Sequence, residues 1–336
     1  MARDARIGVV VVTWNCVDDI PGLVESLSAS RVEGATIEVV VVDNDSRDAT
    51  LELVREAAPA FGVVQLGRDG GYAAGANAGI AHLVECDAYL VLNPDIRFRP
   101  DTIEALWAAM RSSQAGITVP VLTDEHGTVR HSLRREPTIR RAWGEALLGG
   151  GRAGRFPSLG EVVTDASAYS APTVADWATG AAMLVSAECS ANVGEWDESY
   201  FFYSEETDFA LRARDLGYRL ELAPRAFAMH EEGESHQSPA LYARLSINRV
   251  KLYRSRHGML ASALFFSGVA AGLALRVHRP THRAALRALF GVQGIAEEPT
   301  PPSHPAHSPD GPEGDGGPPR GGQYASGAPD VTPSSE

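Results

Sequence analysis

The chain has 336 residues, 44% of them hydrophobic and 22% charged, with a formal net charge of −13. That is the composition of an ordinary soluble enzyme, long enough for one large domain plus additions or for two modest ones. Three cysteines, Cys16, Cys86 and Cys189, far apart and in no CxxC spacing, exclude a disulfide framework and a structural zinc site, and the six-residue apolar run near the start is too short for a signal-peptide core. Both point to a cytoplasmic protein.

The first half alternates β-branched runs with helical patterns. IGVVVV (7–12), IEVVVV (37–42), FGVVQL (61–66) and AYLVL (88–92) read as buried strands, and their continuity predicts a parallel sheet covered by helices on both faces. DDIPGLVESL predicts a helix capped by Asp18 or Asp19 with Pro21 in its first turn. SRDATLELVREA predicts one capped by Ser46 or Asp48, and RPDTIEALWAAM one starting after Pro100. The fold class is therefore α/β, a doubly wound Rossmann-like half that binds a nucleotide.

In such a sheet the ligand lies beyond the carboxyl ends of the strands. The residues there are TWN (13–15), DND (43–45), GRDGGYAAGANAG (67–79) and NPD (93–95). An isolated NPD is ordinarily a turn. Here three of four strand ends bring an Asp towards one crevice. Carboxylates beside a phosphate-sized pocket call for a divalent cation, and oxygen ligands suit Mg²⁺ or Mn²⁺, so Asp95 is a candidate metal ligand. Gly71, Gly75 and Gly79 are four apart, which fails the GxGxxG fingerprint, and Walker A is absent. At that spacing they either let a helix approach the sheet closely or contact phosphate or sugar.

In the second half, ADWATGAAMLVS (175–186) runs from polar into an apolar strand. EETDFALRARDLG predicts a helix with carboxylates in its first turn and Gly217 past its end. Trp177 and the group Trp196, Tyr200, Phe201, Phe202 and Tyr203 either pack the core or stack on a sugar. His230 closes the apolar segment AFAMH, a setting in which histidine is ordinarily structural.

The series VVTWN, VVDNDS, GGYAAGANAG, LNPD, TGAAML, GEWDESYFFYSEETDFALRARDLGY and His230-x4-Ser235 resembles, in order and spacing, family 2 glycosyltransferases of the GT-A fold, particularly their rhamnosyltransferase-like branch. The resemblance covers roughly residues 7 to 236 and implies a nucleotide-sugar donor, with Thr13, Trp14, Asn15, Asp43 and Asn44 at base and ribose. It extends the donor site to Gly71, Asn77, Asn93 and Asp95, and the acceptor site to Trp177 and Gly180. NPD resembles the branch's version of a DxD metal motif in which only Asp95 keeps its carboxylate. His230 resembles a histidine that completes the metal site in related galactofuranosyl transferases. EETD resembles a block whose second acidic residue is the catalytic base, here Glu206 where the family usually has Asp, with Glu205 as the alternative; Asp208 braces the helix. Asp69 departs from the branch's usual Asn and receives no role.

The implied reaction inverts the anomeric carbon, with a base deprotonating an acceptor hydroxyl from about 3 Å and Mg²⁺ or Mn²⁺ at the leaving diphosphate. The expected donor is dTDP-rhamnose, with UDP-galactofuranose, another UDP-hexose or GDP-mannose as alternatives, and the acceptor is a cell-envelope polysaccharide or glycolipid. A non-catalytic nucleotide-sugar-binding or scaffold protein is the alternative of another class.

Residues 1–240 form the expected GT-A domain and residues 241–294 a helical extension, with nine Lys and Arg and no Asp or Glu from Ala240 to Gly294. The uncharged run of 18 residues from Gly258 to Leu275 either packs on the catalytic domain, lies on an anionic membrane surface at the inner face of the cell membrane, or spans a bilayer. The basic stretch has no nucleic-acid reading module, so nucleic acid is not an expected partner. Residues 295–336, rich in Pro, Gly and Ser with seven acidic residues, predict a disordered tail.

Overall fold

The computed structural model of the chain describes residues 3–230 and 238–291. The predicted tail and Ser235 lie outside the described residues. The four predicted strands are β1 (Ala5–Thr13), β2 (Ala35–Asp43), β3 (Gly62–Gln65) and β4 (Ala88–Leu92), linked by α1 (Ile20–Ala29), α2 (Thr50–Ala57) and α3 (Gly71–His82). There follow β5 (Ile96–Phe98), α4 (Thr102–Ser113), β6 (Ile117–Thr123), β7 (Leu133–Arg134), α5 (Ile139–Leu148) and α6 (Gly150–Ala153). Next come β8 (Thr173–Ala175), β9 (Trp177–Ala178), β10 (Ala182–Ser186), α7 (Ala187–Val193), α8 (Glu205–Asp215) and β11 (Leu220–His230). The chain continues with α9 (Pro239–Arg256), α10 (Met259–Ala274) and α11 (Pro280–Leu289).

The main sheet runs β3-β2-β1-β4-β10-β6-β11-β5, with β8 also on β11, and β7 pairs separately with β9. β1 to β4 are parallel, as expected, whereas β10 is antiparallel to both neighbours, so the whole sheet is mixed. Val9, Val11, Val39 and Val41 point into one core with Leu23, Ile103 and Leu106, from α1 and α4. Val10, Val12, Val40 and Val42 point into the other with Ala73, Ala76 and Phe209, from α3 and α8. Burial on both faces is why the runs are continuous rather than alternating. The glycines of α3 serve close packing: a Cβ at Gly75 would come within 2.5 Å of Val12 Cγ1, and one at Gly79 would overlap Val10.

The helix starts differ from expectation. Asp19 stands at the N-cap of α1 without a capping bond, because its carboxylate pairs with Arg97 at 3.3 Å. α2 begins at Thr50, later than a Ser46 or Asp48 cap requires. Ser46 turns to Asp43 instead, and Asp48 Oδ1 accepts from Thr50 N at 3.0 Å in a side-chain turn.

α5, α9, α10 and α11 share a core of Ala142, Val250, Tyr253, Phe265, Val269, Leu273 and Ala285. Of the three expectations for residues 258–275, the span is overturned: the 16 residues of α10 extend about 24 Å, short of a hydrocarbon layer of about 30 Å. Among the described residues no helix is long and apolar enough to cross a membrane. Gly268 and Gly272 instead let α10 approach Ala142 and Ala146 of α5.

Candidate active site

The register aligns the carboxyl ends of the parallel strands, Thr13 beside Asp43 and Val11 beside Leu92, so the loops after them share one rim. Thr13, Asp43 and Asn44 are buried there. Asp43 Oδ1 accepts from Thr13 Oγ1 at 3.1 Å and Ser46 Oγ at 2.5 Å, and its Oδ2 accepts from Ser46 N at 2.9 Å. Asn15, at φ 44°, donates its N–H to Ser46 Oγ at 2.9 Å, and Trp14 beside it is half-buried. Asn44 Oδ1 accepts from Gly70 N at 3.1 Å, which ties the glycine-rich loop to this rim. Asn77 is placed apart: it receives Trp196 N at 2.8 Å and donates to Trp196 O at 3.0 Å, locking a loop rather than facing the crevice.

NPD lies where β4 leaves the sheet beside the start of β10, with Asn93 N donating to Ala181 O at 3.0 Å. β5 returns antiparallel to β11 with Ile96 opposite His230, and this register brings His230 Nε2 to 3.2 Å from Asp95 Oδ2. Asp95 Oδ1 is buried and has no hydrogen-bond partner among the described residues. An unpartnered carboxylate oxygen beside an imidazole fits a divalent cation. Among the described residues no group of three His, Cys, Asp or Glu could hold one alone. Asp95 and His230 therefore suit an ion that takes its remaining oxygens from a bound diphosphate and water. The imidazole favours Mn²⁺ over Mg²⁺.

The base candidates begin α8. The preceding loop is strained, with Phe201, Tyr203 and Ser204 at φ 63°, 70° and 76°. Tyr72 N donates to Phe201 O at 3.0 Å, and the same carbonyl fills the space a Cβ would need at Gly71, itself at φ 78°. From the far side Asn248 Nδ2 of α9 donates to the carbonyls of Tyr200, Phe202 and Tyr203 at 2.8, 2.9 and 3.0 Å. Glu205 is 4% exposed and its Oε2 has no hydrogen-bond partner among the described residues; burial, then the charge of Glu206, pushes its pKa well up. Glu206 is half-buried. Burial pushes its pKa up to about 7, against the pull of backbone N–H groups at the helix start and of Arg134. Gly180 gives Glu206 room, since a Cβ there would stand 3.0 Å from Glu206 Cβ, and Tyr72 Oη donates to Gly180 O at 3.0 Å. Burial and the charges of Glu205, Glu206 and Asp95 together raise the Tyr72 phenol. Asp208 braces α8, accepting from Arg212 Nε at 2.7 Å.

Glu206 opens into a cavity of about 950 Å³ lined also by Trp177, Thr179, Tyr203 and Arg134, and reaching α5, α9, α10 and α11. Trp177 donates Nε1 to Arg135 O at 3.1 Å, and Arg134 lies 5.8 Å from its ring centroid. Trp196 and Tyr200 are core residues, Trp196 stacked on Phe209 at 4.7 Å. Tyr72, Arg134 and Asn248 escape sequence reading. Tyr72 sits in the quoted GGYAAGANAG block and was open to detection, whereas Arg134 and Asn248 carry no local signal.

Residues 8–167 match the family described as Glycosyl transferase family 2. An N-acetylglucosaminyl-diphospho-decaprenol L-rhamnosyltransferase of Mycobacterium tuberculosis is 29% identical over 238 residues, 68% of this chain and 76% of that one. A rhamnosyltransferase of Escherichia coli is 27% identical over 240 residues, 68% of this chain and 85% of its own. A mannosyltransferase of Pyrobaculum calidifontis, solved with GDP-Man and Mn²⁺, shares the fold with a TM-score of 0.53 at 17% identity, over 85% of this chain and 79% of that one. The match of residues 8–167, the similarity to these transferases, the shared fold and the strand-end crevice with its carboxylates identify this chain as a glycosyltransferase with a GT-A-like fold.

Proposed function

We propose that the enzyme is an inverting transferase that moves rhamnose from dTDP-rhamnose to a cell-envelope polysaccharide or glycolipid acceptor at the cytoplasmic face of the membrane. The observation that carries the mechanism is Glu206: a carboxylate held near neutrality, open to a cavity, on the element next to the donor rim. A base with a pKa near ambient pH is well matched to take a proton from a hydroxyl as it attacks. Glu205 is not among the residues that line the cavity, and burial together with the charge of Glu206 holds its proton on. Thr13, Asn15, Asp43 and Asn44 shape the nucleotide end, and Asp95 with His230 would hold a divalent ion. That ion supplies Lewis-acid stabilisation to the departing diphosphate. One carboxylate and no covalent intermediate suffice, in contrast to retaining glycosidases with two close carboxylates. The rhamnosyl assignment is favoured by the names of the two bacterial relatives.

Calorimetric titration with dTDP-rhamnose, UDP-galactose, UDP-galactofuranose and GDP-mannose, each with Mn²⁺ and with EDTA, tests the reading. Selective, metal-dependent binding of the dTDP-sugar is expected, weakened at least tenfold in Asp95→Asn. Tighter binding of another sugar moves the donor assignment, and binding without turnover makes the chain a nucleotide-sugar-binding protein.

A further inference from the structure

The turn that carries Asp95 leads into β5, a strand of three residues at the edge of the main sheet beside β11. Ile96 lies opposite His230 and Arg97 opposite Met229, so a twist of β5 moves Asp95 relative to His230. So short a strand has few ladder bonds with which to resist that twist. Arg97 supplies the restraint. Its Nη1 donates to Pro94 O at 2.8 Å and to Ile96 O at 3.0 Å, so one nitrogen holds the carbonyls on both sides of Asp95. Its Nη2 donates to Asp19 Oδ1 at 3.3 Å, at the start of α1, and the two side chains of this ion pair are only 18% and 17% exposed. α1 leaves a seat for the guanidinium at Gly22, where a Cβ would stand 2.3 Å from Arg97 Nε and 3.0 Å from its Cζ. The planar fork lets one side chain hold the turn and the helix at once, which a lysine ammonium cannot match.

We propose that Arg97 is the positioning residue for Asp95 and His230: by tying the NPD turn to the start of α1 it fixes the direction of the Asp95 carboxylate, so that the pair is set for a divalent ion before the ion arrives. The proposal rests on the reading of Asp95 and His230 as ion ligands, and it gives Arg97 no contact with ion or substrate. A ligand whose backbone is held on both sides has less freedom to lose when it binds, and outer partners of metal ligands act in this way. Charge alone predicts the opposite effect. A guanidinium near a cation site repels the ion, so on Coulombic grounds its removal tightens binding. Loss of a positioning group weakens it, and the sign of the change separates the two.

The test follows free Mn²⁺ by its electron paramagnetic resonance signal as the full chain is titrated in the presence of dTDP or UDP, for the parent, Arg97→Gln, Arg97→Lys, Gly22→Ala and Asp95→Asn. Arg97→Gln is expected to raise the Mn²⁺ dissociation constant about tenfold, the lower end of what losing an outer partner does to a metal site. Arg97→Lys, which keeps the charge and loses the fork, should fall between it and the parent. Gly22→Ala pushes the guanidinium off its seat without changing any charge and should also weaken Mn²⁺. Unchanged or tighter binding in Arg97→Gln overturns the proposal, because a merely structural arginine lowers the melting temperature and leaves Mn²⁺ affinity alone. If Arg97→Gln does not fold, Gly22→Ala decides: weaker binding supports the proposal and parental binding overturns it. A parent that binds Mn²⁺ with neither nucleotide, or Asp95→Asn binding it as the parent does, removes the metal reading and this proposal with it. Loss in Asp95→Asn beside parental binding in Arg97→Gln leaves the metal reading standing and removes this proposal alone.

Discussion

Glu205 and Glu206 are neighbours in sequence with different surroundings, and the difference decides which can work as a base. Glu205 faces protein on all sides, so deprotonating it is costly and no substrate proton reaches it; Glu206 meets the cavity. Glu206→Gln is expected to lower kcat by about 10²–10⁴ and to leave donor affinity, measured by calorimetry, unchanged. The base must be ionised, so kcat/KM should fall as pH drops through about 7. Stability runs the other way. The folded state holds its proton up to about 7 against an ordinary value of 4.5, so it binds more protons than the unfolded chain in that window. The contribution is fully present below about pH 4.5 and lost as pH rises through about 7. Urea denaturation from pH 5 to 8 should show stability decreasing, with a shallower slope in Glu206→Gln. Glu161, raised to about 7 by burial, keeps part of the slope in that variant.

At the scale of elements, α9 holds the loop before α8, the helix of the proposed base, through one amide. Three backbone positions with positive φ cost of order 1–3 kcal/mol each, and Asn248 ties down the loop that contains them. Asn248→Ala should reduce stability by about 1–3 kcal/mol and lower kcat about tenfold, with donor affinity retained, because the start of α8 shifts while the donor rim does not. Asn248→Asp is closer in shape but turns a carboxylate towards three carbonyl oxygens, and denaturation midpoints should rank it below Asn248→Ala. In α3, Gly79→Ala should cost about 1–3 kcal/mol by overpacking against Val10. The strands β1 to β4 and the glycine spacing of α3 were legible because runs of valine and a period of four report local packing. Asn248 was illegible for the opposite reason: its partners lie 45 to 48 residues away, and nothing near it in sequence distinguishes it from a surface asparagine. The pairing of Asp95 with His230 was half legible, each residue flagged separately, while the β5–β11 register that joins them is a tertiary fact.

For the whole molecule, the helices after residue 238 are structural parts of the site. α9 supplies Asn248 and Arg249, and α10 and α11 complete the wall of the cavity. A chain ended after residue 237 should therefore lose transfer activity and melt lower, whereas one ended after residue 291 should keep both, as a Pro/Gly-rich acidic segment has too little apolar surface to bury. Circular dichroism melting and a transfer assay on the two truncations separate these outcomes. The helical character of residues 241–294 was visible in their sequence, but the cavity they enclose with α5 was not, since it depends on which faces meet.

The Asn248 clamp has a bearing on biosynthesis. A ribosome delivers the chain from its N-terminus, and early segments begin to fold before later ones exist. The proposed nucleotide rim lies in the first hundred residues and the proposed base is Glu206, yet the amide that secures the loop before it arrives only with residue 248. On the proposed roles of rim and base, a nascent chain would form its donor pocket before the loop ahead of α8 is secured, and that loop would be fixed only once α9 has emerged.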